Sequence, residues 1–174
     1  MKIILACAAF AAVVVGGSVA ARQAGYVYNR SASMPMGLWR VYDGPAGRGD
    51  VALICPPDNA LFRDARAAHY LLNGTCPGGY APLLKPIAAV AGDEVQVTAE
   101  GARINGQPVA HTQMLRVDGA GRFLPRAQIG RHIVAPGEVW LLSNYHPYSF
   151  DSRYFGPLRA TEVLGVARPV LVER

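Results

Sequence analysis

At 174 residues, 51% of them hydrophobic, the chain has room for one domain with a sizeable core. Its 13 prolines and 19 glycines are scattered, which fits short strands and turns and excludes a repeat protein or a disordered tail. The formal charge of +5 comes from dispersed arginines with no basic run, so no nucleic-acid partner is expected, only a solvated surface with mild attraction to anionic lipid.

In chain order, Lys2 is followed by the uncharged run Ile3 to Ala21 and then Arg22. As a helix that run spans roughly 28 Å, against about 30 Å of bilayer hydrocarbon. An uncleaved membrane anchor over residues 1–22 is the favoured reading. A cleaved signal peptide with Ser18-Val19-Ala20 as its cutting site is the alternative. Both send residues 23–174 across the membrane. Cys55 and Cys76 would then lie where a disulfide is permitted, with two unpaired thiols as the other possibility.

Strands are predicted at Tyr26–Asn29, Gly37–Tyr42, Val51–Ile54, Tyr80–Ala91, Asp93–Val97, Glu138–Leu142 and Val163–Val172. Leu61–Leu72 is the one short helix expected outside the anchor. Asn105-Gly106 is a hairpin signal. It falls in a hairpin or loop insert at about 98–135, polar and irregular from Thr112 to Arg131. The expected fold is all-β: an antiparallel catalytic domain with a small hairpin insert, behind one N-terminal transmembrane helix.

Three stretches carry chemistry: Ser31-Ala32-Ser33-Met34-Pro35, the Leu83-Leu84-Lys85-Pro86-Ile87 strand ending in Gly92-Asp93, and Ser149-Phe150-Asp151-Ser152-Arg153. Serine is a poor nucleophile until a base takes its proton, and a neutral lysine is such a base. Lys85 is flanked by apolar residues with no adjacent carboxylate, surroundings that disfavour its ammonium form. Ser31 Oγ and the Ser33 amide could form an oxyanion hole. Ser149 could aim the Lys85 amine. Asp151 and Arg153 lie two apart, so on an extended strand they would point the same way and pair. His146 offers a rival triad with Ser33 and Asp151. No metal site or other cofactor is expected, since the four histidines lack ligand spacing.

In that order, these stretches resemble the boxes of the type I signal peptidase family of serine/lysine peptidases. Arg48-Gly49-Asp50-Val51 resembles the structural box between nucleophile and base. Pro35-Met36-Gly37-Leu38-Trp39, Cys55-Pro56-Pro57, Cys76-Pro77-Gly78-Gly79-Tyr80 and Phe155-Gly156-Pro157-Leu158 are similar to its conjugative-transfer, TraF-type branch. The resemblance covers about Asn29 to Leu158. It implies Ser33 as nucleophile, Lys85 as general base, Ser31 as oxyanion donor, Ser149 as lysine-orienting group, and Asp151 with Arg153 as support. It implies an inner-membrane protein with its catalytic domain in the periplasm. The implied partner is an exported precursor, a conjugative pilin in the TraF-type branch, cut after a small residue.

The substrate is expected as an added strand between the segments bearing Ser33 and Lys85, with Met34, Leu83 and Leu84 walling an apolar pocket. Ser33 lies eleven residues beyond Arg22, at most about 36–40 Å of chain, so a retained anchor keeps it near the bilayer. Head-to-tail cyclisation and simple hydrolysis use the same residues. A general signal peptidase, or a non-catalytic scaffold subunit of a conjugation or secretion complex, is the alternative.

Overall fold

The computed structural model describes residues 2–125 and 128–173. It opens with helix α1 (Lys2–Gln23), followed by strands β1 (Tyr26–Asn29), β2 (Gly37–Tyr42) and β3 (Val51–Ile54). Helix α2 (Ala60–Ala67) leads to β4 (Leu83–Val90). Strands β5 (Glu94–Thr98), β6 (Gly101–Ile104), β7 (Gln107–Pro108) and β8 (Gly130–Ile133) come next. The chain ends with β9 (Glu138–Leu141), helix α3 (Ser152–Phe155), β10 (Leu158–Arg159) and β11 (Val163–Val172). Among the described residues no helix is long and apolar enough to cross a membrane. Several side chains in the first half of α1 lie outside that description.

Seven strands form one antiparallel sheet in the order β1-β2-β11-β3-β4-β9-β10. The last strand, β11, is inserted between β2 and β3, so the C-terminus locks the strand that follows the Ser33 loop. Gly37 marks how closely they meet: its φ is +130°, and a Cβ there would lie 2.3 Å from the Leu171 carbonyl oxygen. Two apolar clusters cover the sheet. Ile54, Phe62, Tyr80, Ile87, Leu141, Phe150, Tyr154 and Phe155 lie in one, and Met34, Trp39, Leu53, Leu84 and Ala167 form the other.

Strand β4 changes partner along its length. It pairs with β3 through Leu83–Pro86 and with β9 from Ile87 to Val90. Proline cannot donate to a ladder, and Pro86 falls at this handover, beside the register shift between Ile87 and Ala89. On the β9 side, residues 83–85 therefore carry no paired strand among the described residues.

The insert is a second antiparallel sheet, ordered β7-β6-β5-β8, rather than a hairpin. It begins at Glu94, because Asp93 turns β4 straight into β5 by accepting the Val90 amide at 2.9 Å. Asn105 and Gly106 have φ of 48° and 79°, the signature of a tight turn between β6 and β7. The helix predicted at Leu61–Leu72 is shorter. Asn59 caps it by accepting the Phe62 amide, and His69, at φ 64°, ends it. The Tyr70 and His69 amides return to the Ala65 and Arg66 carbonyls, a left-handed stop that helical apolar spacing does not reveal.

Cys55 and Cys76 form a disulfide, with their Cα atoms 5.4 Å apart and a sequence separation of 21. Cys55 directly follows β3, so the bridge fastens the α2 loop to the end of the β3–β4 ladder. Replacing both cysteines by serine is expected to cost about 3 kcal/mol of stability on the loop-entropy model. Urea unfolding of the oxidised and doubly substituted chains measures it. Equal midpoints and slopes would show that the bridge contributes nothing.

Candidate active site

The Ser33 loop leaves β1 at Asn29, whose buried amide organises it. Asn29 Nδ2 lies within 2.9–3.0 Å of the carbonyl oxygens of Ser31, Met34 and Pro35, and Asn29 Oδ1 accepts the Ser31 amide at 3.1 Å. Trp39 Nε1 donates to the Pro35 carbonyl at 3.0 Å. The Met34 side chain is buried in the cluster with Trp39 and Leu84 and pins the loop to the sheet. Ser33 is only 6% exposed. Its Oγ is 2.8 Å from Ser31 Oγ, which is also 3.4 Å from the Ser33 amide nitrogen.

Lys85 lies on β4 opposite Ala52 of β3 and is 3% exposed. Its Nζ donates to Ser149 Oγ at 2.7 Å. An ammonium has three N–H groups to satisfy, and among the described residues Nζ has one hydrogen-bond acceptor, Ser149 Oγ. Burial lowers the Lys85 pKa to about 8 from its usual 10.5; Asp151 opposes that and Arg153 reinforces it. The neutral amine, with a lone pair to accept a proton, is therefore accessible near physiological pH.

Asp151 and Arg153 are both 0% exposed. Arg153 Nε and Nη2 donate to the two Asp151 oxygens at 2.8 and 3.0 Å. The pair forms in a way strand alternation does not produce. Asp151 is the N-cap of α3, accepting the Arg153 amide, and Arg153 sits in the helix itself. A strand reading of Ser149–Arg153 is thus corrected to a turn entering a helix, with Gly156 at φ 78° ending it. Arg153 also donates from Nη2 to the Ser149 carbonyl at 2.9 Å and from Nη1 to the Gln113 carbonyl at 2.8 Å.

Ser143, which sequence reasoning missed, joins the two halves. It is fully buried just beyond β9. Its Oγ donates to the Ser33 carbonyl oxygen, and its amide donates to Asp151 Oδ2 at 3.2 Å. Nothing local signals this role, because Ser33 is 110 residues away in sequence. Asn29 was also missed, although an asparagine two residues before Ser31 is a familiar turn-forming signal.

No hydrogen bond among the described residues joins Ser33 Oγ to Lys85 Nζ directly; the first pairs with Ser31 and the second with Ser149. The His146 triad does not form. The His146 ring nitrogen accepts the Tyr148 amide, and the Asp151 oxygens are occupied by Arg153 and Ser143. The three expected pocket residues do not make one wall. Successive strand residues face opposite ways. Leu84 is buried with Met34 in one cluster, while Leu83 packs against the other. The Arg48–Asp50 stretch braces the lysine strand: the Gly49 amide donates to the Ile87 carbonyl, and the Ile87 amide to the Asp50 carbonyl.

The family model for signal peptidase, peptidase S26, matches residues 1–172. The chain belongs to that family, a membrane-associated group of serine peptidases whose substrates are exported precursors. Its relatives include the plasmid transfer protein TraF of Escherichia coli, 38% identical over 91% of this chain and 93% of that one. The probable conjugal transfer protein TraF of Sinorhizobium fredii (strain NBRC 101917 / NGR234) is 41% identical over 97% of this chain and 89% of that one. A signal peptidase I from Enterococcus faecalis V583, known from a crystal structure, is 19% identical, with a TM-score of 0.40, over 72% of this chain and 98% of that one.

The depressed lysine pKa has a cost with a definite pH dependence. Between about 8 and the unfolded value near 10.5, the unfolded chain holds a proton that the folded chain does not, so stability rises with pH through that window. Below it the full cost, about 3 kcal/mol, is present. Lys85→Met is therefore expected to raise stability at pH 6–7 by an amount approaching that figure and to flatten the rise above pH 8. Guanidinium unfolding at pH 6.5 and 9.5 tests this; a variant less stable than the parent at both would refute it.

Proposed function

We propose that this chain is a membrane-anchored serine endopeptidase in which Ser33 is the nucleophile and Lys85 the general base, and that it processes an exported precursor in conjugative transfer, a pilin. The observation that carries the reading is Lys85: buried, held by a single bond to Ser149, and with a pKa lowered to about 8. A lysine in that state has no evident structural use and suits proton abstraction near neutral pH. The relatives named for plasmid and conjugal transfer support the biological setting.

In the proposed reaction, Lys85 Nζ takes the Ser33 hydroxyl proton as Ser33 Oγ attacks the scissile carbonyl carbon. The oxyanion is met by the Ser33 amide and Ser31 Oγ. Ser33 Oγ must leave Ser31 for Lys85 in this step, a contact that substrate binding tightens. Collapse breaks the peptide bond, and the departing amine takes the proton from Lys85. Water or the precursor's own amine then attacks the acyl-enzyme. Water releases a linear chain; the amine closes the chain head to tail. Asp151 and Arg153 support Ser149, and Ser149 aims the lysine.

The unpartnered edge of β4 at residues 83–85 favours a substrate bound as an added strand beside Lys85. The uncharged run Ile3–Ala21, within the 22-residue α1, favours an anchor in the inner membrane with the catalytic domain in the periplasm. Alkaline carbonate extraction of cells making the chain is expected to leave it in the membrane fraction at full mass. Release of a protein cut after Ala20 would mean a cleaved leader instead.

Co-expression with the candidate precursor, followed by intact mass, tests the function. Ser33→Ala and Lys85→Met are expected to abolish processing, and His146→Ala to retain it. A product one water lighter than the linear form means cyclisation. With the parent enzyme, kcat/KM is expected to rise with pH to a limb near 8 and then level, since the base must be neutral. Undiminished processing by Ser33→Ala would remove the peptidase reading in favour of a scaffold subunit.

A further inference from the structure

Among the described residues, Ser143 is the one buried polar residue touching both halves of the site that the proposed reaction leaves without a task. It follows Leu142, whose amide bonds to the Pro86 carbonyl at 3.2 Å, so the end of the β9 segment runs next to the lysine strand. There Ser143 makes three bonds at once. Its hydroxyl donates to the Ser33 carbonyl oxygen and accepts the Tyr145 amide at 3.2 Å; its own amide donates to Asp151. A serine hydroxyl has one proton to give, and that proton is spent on the backbone of the nucleophile.

We propose that Ser143 is a positioning residue for the acyl-transfer step: it fixes the Ser33 carbonyl, and hence the Ser33 backbone, against the Asp151–Arg153–Ser149 network that aims Lys85. This rests on the reading of Ser33 as nucleophile and Lys85 as base. Asn29 holds the loop's other carbonyls, those of residues 31, 34 and 35, from the β1 side. Ser143 alone among the described residues' hydrogen bonds ties the Ser33 carbonyl to the side of the molecule that carries the base. The route from it is continuous: Ser143 amide to Asp151, Asp151 to Arg153, Arg153 to the Ser149 carbonyl, Ser149 hydroxyl to Lys85.

The two ties can be separated. Ser143→Ala removes the hydroxyl bond to Ser33 and keeps the backbone bond to Asp151, so the surroundings of Lys85 are unchanged. Misplacement of a nucleophile lowers turnover with little effect on substrate affinity. The full-length chain in detergent is assayed on a precursor peptide, with rates normalised to sites titrated by a serine-acylating fluorophosphonate. Ser143→Ala is expected to lower kcat by roughly ten- to a hundredfold, to leave KM within about twofold, and to leave the rising limb of the pH–rate profile in place. Ser143→Thr, which keeps the hydroxyl, is expected to recover most of the loss. A purely structural serine would instead reduce the titratable fraction and the melting temperature while kcat per site stayed at the parent value, and that result overturns the proposal. If Ser143→Ala does not fold, Ser143→Cys, of similar volume and a weaker donor, is read by the same criteria. Ser33→Ala separates the two levels: an active Ser33→Ala enzyme means that the peptidase reading itself has failed, whereas an inactive one beside a fully active Ser143→Ala means that only the positioning role has.

Discussion

The buried ion pair between Asp151 and Arg153 is what the rest of the site depends on. Two charges without solvent are expensive, and such a pair holds its place only when the remaining donors and acceptors are satisfied. Here they are. Asp151 accepts from the Ser143 amide and the Arg153 amide, and Arg153 reaches the Ser149 and Gln113 carbonyls. The pair is thus less a source of stability than a jig: each bond that neutralises its burial fixes a neighbour of the lysine. Its electrostatic effect on Lys85 is just as specific. A lone buried carboxylate would hold the lysine in its charged form. Arg153 offsets Asp151, so desolvation decides the outcome and the pKa falls to about 8. The arginine therefore favours the neutral amine of a lysine with which it shares no hydrogen bond among the described residues.

The sheet provides the complementary constraint. Because β11 lies between β2 and β3, the Ser33 loop and the Lys85 strand are separated by backbone ladders with fixed spacing. The loop cannot drift, since Met34 is sunk in the cluster that also holds Leu84, the neighbour of Lys85 on the opposite face of β4. Ser33 and Lys85 are consequently registered through the two faces of one strand: side-chain packing below and the polar network above.

Much of this was legible in the chain. The strands at residues 26–29, 37–42, 51–54 and 163–172 read true because each is a short apolar or alternating run bounded by turn residues. The Ser33, Lys85 and Ser149 stretches stood out because unusual residue types sit in apolar surroundings. What stayed hidden was set by tertiary geometry. Alternation placed Asp151 and Arg153 on one side of a strand, but the carboxylate instead caps a four-residue helix, and nothing in five residues distinguishes these two ways to form the same pair. Apolar spacing ran α2 on to Leu72, although the chain leaves the helix at His69 and still buries Leu71 by another route. Ser143 carried no signal at all, since its meaning lies in a carbonyl at the far end of the sequence.

The disulfide belongs to the same economy. Burying Lys85 where its pKa falls to about 8 costs about 3 kcal/mol at neutral pH, a large share of the stability of a small domain. The Cys55–Cys76 bridge contributes a similar amount, and it does so close by: Cys55 follows Ile54, which pairs with Leu83 two residues before the lysine. Fraying of the β3–β4 ladder at that end would let water reach Nζ and raise its pKa toward the ordinary value. A cross-link there stabilises the fold, and it also protects the dryness on which the low pKa depends. Stability and chemistry are in this way set at the same place, the first turn-bounded end of β4.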